Sequence, residues 1–225
     1  MLFAEGIRLA FSDHRGTSFT ALDIDTFRPE PGKLTAIAGP SGSGKSTLLY
    51  VLAGLQPPQA GRVTADGMDI YSLGESRRDA WRRRTIGFVF QDFHLIPELS
   101  LVGNVALPAT FGRSPGSRRR ASELLVALGV PTDRRSVGML SRGEQQRVAI
   151  ARALAFDPPV ILADEPTASL DGAAATDVRA ILKRLAGEGR TVVVVSHDDA
   201  VLSAADATLR LDHGRPTAGF PMAAE

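Results

Sequence analysis

The stretch "GPSGSGKST", Gly39 to Thr47, decides how this chain folds. The apolar run "KLTAIAG" leads into it. "STLLYVLAG" overlaps its end, with apolar residues at helical spacing and Gly54 where a helix C-cap belongs. A G-x-x-x-x-G-K-[ST] pattern between a strand and a helix predicts a phosphate-binding loop, because backbone N–H groups and the helix N-terminus point at the anion. The alternative, a flexible Gly/Ser turn, does not account for the flanking strand and helix.

The side chains of this loop have distinct predicted roles. Lys45 would bridge the β- and γ-phosphates of a nucleoside triphosphate, and the Ser46 hydroxyl would hold Mg²⁺. Because the sequence has no N-K-x-D stretch for guanine, we expect adenine, stacked on an aromatic such as Phe11, although a lone phenylalanine is more often a core residue. The loop residues expected to bind the nucleotide are Gly39, Pro40, Ser41, Gly42, Ser43, Gly44, Lys45, Ser46 and Thr47.

Further along the chain, the apolar runs "VILADE" and "TVVVVSH" both end in polar residues. Continuous Val/Ile/Leu runs of this length predict strands buried on both faces, as in a parallel sheet covered by helices. The segment between them, "GAAATDVRAILKRLA", has helical spacing, which predicts an α/β core. Before residue 38, stretches such as "FTALDIDTF" predict antiparallel strands. Residues 92 to 140, with runs such as "SRRRASELLVALGV", predict an inserted helical lobe.

The polar ends of these strands complete the predicted site, because open α/β sheets bind ligands at the C-terminal ends of their strands. Asp164 would hold Mg²⁺ through water. Glu165 would accept a proton from the water that attacks the γ-phosphorus, or orient that water. His197 ends a buried strand at the same edge, which favours a functional over a structural histidine. Gln91 follows "IGFVF", and its carbonyl could join the Mg²⁺ or water shell.

The stretch "LSRGEQQR" predicts a second anion site. Ser141 and Glu144 form an S-x-x-E capping box before an amphipathic run, which predicts a helix with exposed N-terminal amides. One γ-phosphate could be held between this helix and the phosphate-binding loop, but on different lobes the two helix N-termini are expected to lie too far apart. Two chains packed head to tail would bring them together. A small-molecule kinase, the competing class with the same loop, has no evident use for this stretch.

In order, "GPSGSGKST", Gln91, "LSRGEQQR", "VILADEP", "SLD" and His197 resemble the Walker A, Q-loop, signature, Walker B, D-loop and H-loop motifs of the ATP-binding subunits of ABC transporters. The resemblance covers essentially the whole chain. It implies an α/β P-loop NTPase (RecA-like) core with an N-terminal antiparallel β-subdomain and an inserted α-helical subdomain. It also implies ATP and Mg²⁺ as cofactors and an ATP-bound homodimer, in which Ser141 and Gly143 of one subunit contact the γ-phosphate held by the other.

The resemblance also implies roles for single residues. The predicted catalytic residues are Glu165, His197, Lys45 and Gln91. The implied roles are Glu165 as the catalytic base, His197 as a γ-phosphate contact, Asp171 as a contact across the dimer and Phe11 as the adenine-stacking aromatic.

The segment "RTIGFVFQDFHLIPELSLVGNVALP" is most similar to the branch of the family that serves lipoprotein release, macrolide-type export and cell-division signalling. We therefore expect separate transmembrane subunits to dock near Gln91 and residues 92 to 105. Phe93, Leu95 and Ile96 would be contacts there, or core residues. Transmembrane signalling without transport and import are alternative functions. Action on DNA or ribosomes is disfavoured, since such members typically carry tandem cassettes or long coiled-coil insertions.

Arg142 departs from the family pattern, which usually has glycine there, and Glu144 stands where glutamine is common. A cation in the first turn of a helix opposes the macrodipole, at a cost of about 0.3–1 kcal/mol at an exposed site. A docked anion would reverse that cost. One hypothesis therefore has Arg142 approach the partner subunit's nucleotide and strengthen closure, and both residues are included in the predicted nucleotide site. The alternative is that the arginine points to solvent.

The composition bounds the remaining possibilities. The chain of 225 residues is 44% hydrophobic with a net charge of +1, so no global field attracts nucleic acid or membrane. The arginine runs 82–84 and 118–120 are short and lack interleaved aromatics, which indicates solvated faces, and we expect no nucleic-acid partner. Cysteine is absent, and no stretch approaches the roughly 20 apolar residues of a membrane-spanning helix.

From these observations we expect residues 1–225 to form a single ABC ATPase domain, without a signal peptide at its start or a regulatory domain after "LRLDHGR". We expect it to be cytoplasmic and peripheral on the inner face of the cell membrane, held there by its transmembrane partner.

Overall fold

The computed structural model of the chain describes residues 1–12, 16, 18–110, 117–131, 133–134 and 136–217, with only the backbone of residues 109 and 110. Its strands are β1 (Leu2–Ser12), β2 (Ser18–Phe27), β3 (Leu34–Ala38), β4 (Ala60–Ala65), β5 (Met68–Asp69), β6 (Ile86–Val89), β7 (Val160–Asp164), β8 (Thr191–Val195), β9 (Ala207–Asp212) and β10 (Arg215–Pro216). Its helices are α1 (Lys45–Leu52), α2 (Glu75–Thr85), α3 (Leu101–Thr110), α4 (Ser117–Ala127), α5 (Arg142–Ala153), α6 (Gly172–Gly187) and α7 (Asp199–Ala204), and short 3₁₀ turns lie at Ile70–Ser72 and Val137–Met139.

Within the described residues, the larger sheet has the strand order β10-β9-β3-β8-β7-β6. Its strands run parallel except β10, which pairs with β9 in the antiparallel direction. The valine run of β8 shows why both faces are covered. Val192 and Val194 belong to one apolar cluster, and Val193 and Val195 to the other. The prediction of a parallel sheet buried on both faces is confirmed.

Helix α1 lies between this sheet and a second, antiparallel sheet with the order β2-β1-β4-β5. The helix is mostly apolar, as expected for an element covered on two sides. It ends as predicted. Gly54 has a left-handed backbone with φ 68°, its N–H bonds the Val51 carbonyl, and the Leu55 N–H bonds the Tyr50 carbonyl at 2.9 Å. The buried residues of α1 are Leu48, Leu49, Val51 and Leu52.

The helical lobe consists of α3 and α4 packed on α5. Its apolar residues, such as Leu101, Val105 and Leu125, belong to the same cluster as Ile150 of α5. The segment before α3 is held by the fully buried Asn104, which accepts the Ile96 N–H at 2.7 Å and donates to the Ile96 carbonyl at 2.9 Å. The predicted lobe begins at about residue 92, but its first helix begins at Leu101, after the segment that Asn104 holds.

Helix α2 was not predicted, because it has no apolar periodicity and buries only Trp81. Its charges explain why it is a helix. Glu75 lies in the first turn and the arginine run 82–84 in the last, so both ends complement the macrodipole. Arg82 also donates to the Gly54 carbonyl at 3.0 Å, which ties α2 to the end of α1.

Gly87 provides a test of how closely the lobe approaches the core. A Cβ there would lie 2.5 Å from the Ala153 carbonyl oxygen at the end of α5 and 2.8 Å from Ile161 Cδ1. We expect Gly87→Ala to lower the free energy of unfolding by about 1–3 kcal/mol, as overpacking typically does. Urea denaturation measures it. Gly187→Ala is the control, because nothing lies within 4 Å of its Cβ position. A Gly87→Ala variant as stable as this control would contradict the packing.

Candidate functional site

The phosphate-binding loop joins β3 to α1 and is bounded by two glycines in left-handed conformations. Gly39 has φ 150° and Gly44 has φ 93°. A Cβ on Gly39 would lie 2.1 Å from the Leu211 carbonyl oxygen, and one on Gly44 would lie 2.3 Å from the Ala21 carbonyl oxygen. The loop therefore follows a path that only glycine permits at both ends, which leaves its amides facing one cleft.

Two polar groups of the loop have the character expected of an anion site. The Lys45 ammonium donates to the Gly39 and Pro40 carbonyls at 2.9 and 2.8 Å, so the loop holds the cation at its mouth. Ser43 is buried, and its hydroxyl has no hydrogen-bond partner among the described residues. Because α1 begins at Lys45, its first amides also lack intrahelical acceptors.

Ser46 and Asp164 are brought together, as the predicted magnesium site requires. The Ser46 hydroxyl donates to Asp164 Oδ1 at 3.1 Å. Burial is the main cause that raises the pKa of Asp164, followed by the opposing Ser46 bond and the neighbouring Glu165 charge. A nearby cation would favour the ionised carboxylate, and hydroxyl and carboxylate oxygens suit Mg²⁺.

Glu165 and His197 form a pair at the C-terminal edge of the parallel sheet. His197 Nδ1 lies 2.9 Å from Glu165 Oε1, and the other carboxylate oxygen is buried without a partner among the described residues. The Glu165 side chain is 13% exposed and that of His197 is 72% exposed. Glu165 has a left-handed backbone with φ 45°, and its N–H bonds the Val195 carbonyl at 3.0 Å. The backbone of Glu165 is thus held by the next strand, and its carboxylate is held by His197.

Most of these groups line one cleft of 710 Å³, among them Lys45, Glu165 and His197, whereas the buried Asp164 lies outside its lining. Its lining includes the predicted Gln91, which is exposed, and Phe11 at the end of β1. It also includes Phe19, which was not predicted. Phe19 pairs with Phe11 across β1 and β2, and the two ring centroids lie 6.0 Å apart. The signal for Phe19 is the antiparallel register, which a single sequence does not reveal.

The signature residues lie outside this cleft, on the first turn of α5. The capping box is present, since the Glu144 N–H bonds Ser141 Oγ and the Ser141 N–H bonds Glu144 Oε2 at 2.7 Å. Glu144 also pairs with Arg134 at 2.9 Å. The backbone bond from Ser141 is the main cause that lowers the pKa of Glu144. The Ser141 hydroxyl accepts in this arrangement, so its own proton remains free to donate.

The structure also places further residues singled out in the sequence: Arg142, Phe93, Ile96 and Asp171. The Arg142 guanidinium lies over the Phe93 ring, 5.5 Å from its centroid. Phe93 is buried, so in this arrangement it packs within the chain, whereas Ile96 is exposed. Asp171 caps α6 by accepting the Ala174 N–H at 2.8 Å, and its side chain is exposed.

The parallel sheet, the glycine-bounded loop and the Ser46–Asp164 pair define a P-loop nucleoside triphosphatase. The family model for "ABC transporter" matches residues 22–168. The chain belongs to this family, and its activity is that of an ABC-type ATPase.

Two named relatives differ in length. The macrolide export ATP-binding/permease protein MacB of Rhodopseudomonas palustris is 44% identical over 213 residues, which are 93% of this chain and 32% of that protein. The chain thus spans about a third of the length of the MacB proteins it matches. The lipoprotein-releasing system ATP-binding protein LolD of Hyphomonas neptunium is 42% identical over 192 residues, which are 84% of both chains.

Solved structures support the same relationship. The dimeric structure of MJ0796, a bacterial ABC transporter cassette, has a TM-score of 0.88, 37% sequence identity and 97% coverage of both chains. A second structure of MJ0796, a dimeric post-hydrolysis state bound to ADP and Pi, matches equally well. Together with the family match, these comparisons confirm the predicted fold class and the ATP-binding character of the chain.

The Glu165–His197 pair predicts a pH dependence. The hydrogen bond that the His197 ring donates to Glu165 is the main cause that raises the pKa of His197 above about 6.5. Any contribution of the pair to the free energy of unfolding is fully present at pH values below the pKa that His197 has in the unfolded chain. It is lost as the pH rises through the higher pKa that His197 has in the folded chain. We expect Glu165→Gln to lower the pKa of His197 in an NMR titration, with His197→Ala identifying the signal. An unchanged pKa would contradict the pairing.

Proposed function

We propose that the chain is the ATP-hydrolysing motor subunit of an ABC transporter complex, which dimerises around two Mg·ATP and drives separate transmembrane subunits. The residues 1–225 act as one ABC ATPase domain with the helical subdomain at about 92–140. The observation that carries the proposal is the division of the phosphate contacts. The loop, Glu165 and His197 share one cleft, whereas Ser141 and Gly143 lie outside it and need a second copy.

Within one subunit, the residues have separable roles in hydrolysis. Lys45 exchanges its carbonyl acceptors for the β- and γ-phosphates, and Ser43 and the loop amides donate to the same anion. Ser46, Asp164 and Gln91 would hold Mg²⁺, which would neutralise phosphate charge when bound. Glu165 accepts a proton from the attacking water, and its carboxylate is oriented for this by the His197 contact to Oε1. His197 contacts the γ-phosphate with the exposed side of its ring.

Between subunits, the first turn of α5 supplies donors. The Ser141 hydroxyl and the Gly143 amide, which has no intrahelical acceptor, contact the γ-phosphate held by the partner. Asp171 contributes from the start of α6, the helix against which α5 packs. Phe11 stacks on adenine in each subunit's own site, with Phe19 beside it.

The membrane subunits dock on the lobe near Gln91. Ile96 is exposed at this end of the lobe, while Phe93 is buried and Leu95 packs against the core. An apolar groove of 390 Å³, lined in part by Val102, Leu125 and Val126, has room for the side chains of a partner helix. Through this contact, the subunit would sit peripherally on the inner face of the membrane. None of the helices in the described part of the chain is a candidate for spanning a membrane.

The names of two relatives support a direction of transport. The LolD protein belongs, by its name, to a lipoprotein-releasing system, and the MacB protein to macrolide export. One name describes export and the other describes release. We therefore propose export or extraction of a substrate from the membrane. A second candidate, transmembrane signalling without transport, shares every feature of the site.

A catalytic variant tests hydrolysis and dimerisation together. We expect Glu165→Gln to lower kcat at least about 100-fold, because a general base is removed while the side-chain shape is kept. The variant should dimerise with ATP and not with ADP, as measured by light scattering after size exclusion. Lys45→Ala is the control and should stay monomeric with ATP, because it loses the phosphate contact. A Glu165→Gln protein that hydrolyses ATP at the original rate, or stays monomeric, would contradict the proposal.

The membrane partner is tested with the same variant. Tagged Glu165→Gln protein would be isolated from native membranes with Mg·ATP, and the proteins bound to it identified by mass spectrometry. We expect a membrane protein with a large extracytoplasmic domain, and no such protein with Lys45→Ala. A many-helix permease with a solute-binding protein would indicate import instead. Recovery of soluble proteins or nucleic acid alone would overturn the transport proposal.

A further inference from the structure

Arg142 has one described contact that neither sequence hypothesis included. Its guanidinium carbon lies 5.5 Å from the centroid of the Phe93 ring, within the distance of a cation–π interaction. Phe93 itself is 7% exposed, so the ring presents a fixed face. No carboxylate in the described part of the chain pairs with Arg142. The side chain is therefore held by the ring of Phe93 rather than by a charge.

The segment that carries Phe93 is also held by α5 at a second point. Phe93 and His94 both have left-handed backbones, with φ 58° and 46°. Such a conformation in two successive non-glycine residues is costly and has to be stabilised by its surroundings. The Arg152 guanidinium, near the end of α5, donates to the carbonyls of both residues. The backbone of the segment is thus bound to one end of α5 and its aromatic ring to the other.

We propose that Arg142 is a positioning residue, which fixes the first turn of α5 to the segment that follows Gln91. We call this contact the Arg142–Phe93 clamp. It holds the Ser141 hydroxyl and the Gly143 amide in the orientation that a partner's γ-phosphate requires. The inference rests on the proposed dimer. It gives the arginine a role within its own subunit, in place of a contact with the partner's nucleotide.

A second contact of the same turn supports this orientation. On its other side, the same turn is fixed by Gly143, where a Cβ would lie 2.7 Å from Ala174 Cβ of α6. The clamp thus adds a second support to a turn that already packs closely on one side. The contact with the ring also offsets the unfavourable position of a cation at a helix N-terminus.

The first measurement is made on the monomer without nucleotide, so it does not depend on dimerisation. The ring current of Phe93 should shift the Arg142 side-chain protons upfield in NMR spectra, with Arg142→Ala identifying those signals. We expect the shift to disappear in Phe93→Leu, which keeps an apolar side chain and removes the ring. Thermal melting shows whether Phe93→Leu is folded. If it is not, Phe93→Met is used in its place. Arg142 protons without an upfield shift would overturn the clamp.

The second measurement is a double-mutant cycle on ATP-dependent dimerisation in the Glu165→Gln background. An exposed cation–π contact corresponds to about a two- to five-fold change in an equilibrium constant, and a dimer contains two clamps. Because the clamp is present in the monomer as well, its loss weakens dimerisation only through the cost of reordering the turn. We therefore expect Arg142→Ala and Phe93→Leu each to weaken dimerisation by up to about 4- to 25-fold, and the double variant no more than either. Arg119→Ala is the matched control, an exposed arginine whose only described ion pair is with Glu123 on the same helix.

The cycle separates the possible roles of the arginine. If Arg142→Ala weakens dimerisation and Phe93→Leu does not, Arg142 acts on the partner's nucleotide. If the two effects multiply in the double variant, Arg142 acts independently of Phe93. Either outcome overturns the clamp as a positioning device. If the Glu165→Gln parent stays monomeric with ATP, the proposed dimer fails. The NMR shift then still decides whether the clamp exists.

Discussion

Two glycines of the phosphate-binding loop stand where no side chain fits, and each faces a different part of the molecule. Gly39 passes the Leu211 carbonyl of β9, in the parallel sheet, and Gly44 passes the Ala21 carbonyl of β2, in the antiparallel sheet. The loop is therefore confined between both sheets, and α1 behind it is buried by both. A loop confined in this way has its amides oriented before a phosphate arrives, which reduces the entropy lost on binding.

The rest of the site follows from this constraint. Because β3, β7 and β8 are adjacent and parallel, their C-terminal ends lie beside the confined loop. Asp164 is delivered next to Ser46, and Glu165 turns through a left-handed conformation toward His197 at the end of β8. The buried carboxylate of Asp164, beside the Ser46 hydroxyl, provides oxygen ligands of the kind that suit a metal-bound phosphate. The chemistry thus depends on strand order, and the strand order depends on the buried valine-rich runs.

Patterns that act over a few residues could be predicted from the sequence. The buried strands, the Gly54 helix end and the Ser141–Glu144 capping box are all encoded by neighbours along the chain, and all are present. Features that depend on contacts between distant residues could not be predicted. Helix α2 is stabilised by its terminal charges and the single buried Trp81, so no periodicity marks it. Phe19 joins the cleft only through the β1–β2 register, and the Arg142 contact with Phe93 requires the fold of the lobe.

The first turn of α5 has a fixed position even though it lies outside the nucleotide cleft of its own chain. On one side, Gly143 lets the turn pack against α6 at Ala174, and Asp171 caps the same end of α6. On the other side, Arg142 lies on Phe93. Ser141 and Asp171 are therefore exposed on two elements that pack against each other. A second chain would meet groups whose positions are already fixed, so that its γ-phosphate supplies the missing contact without first having to order the surface that receives it.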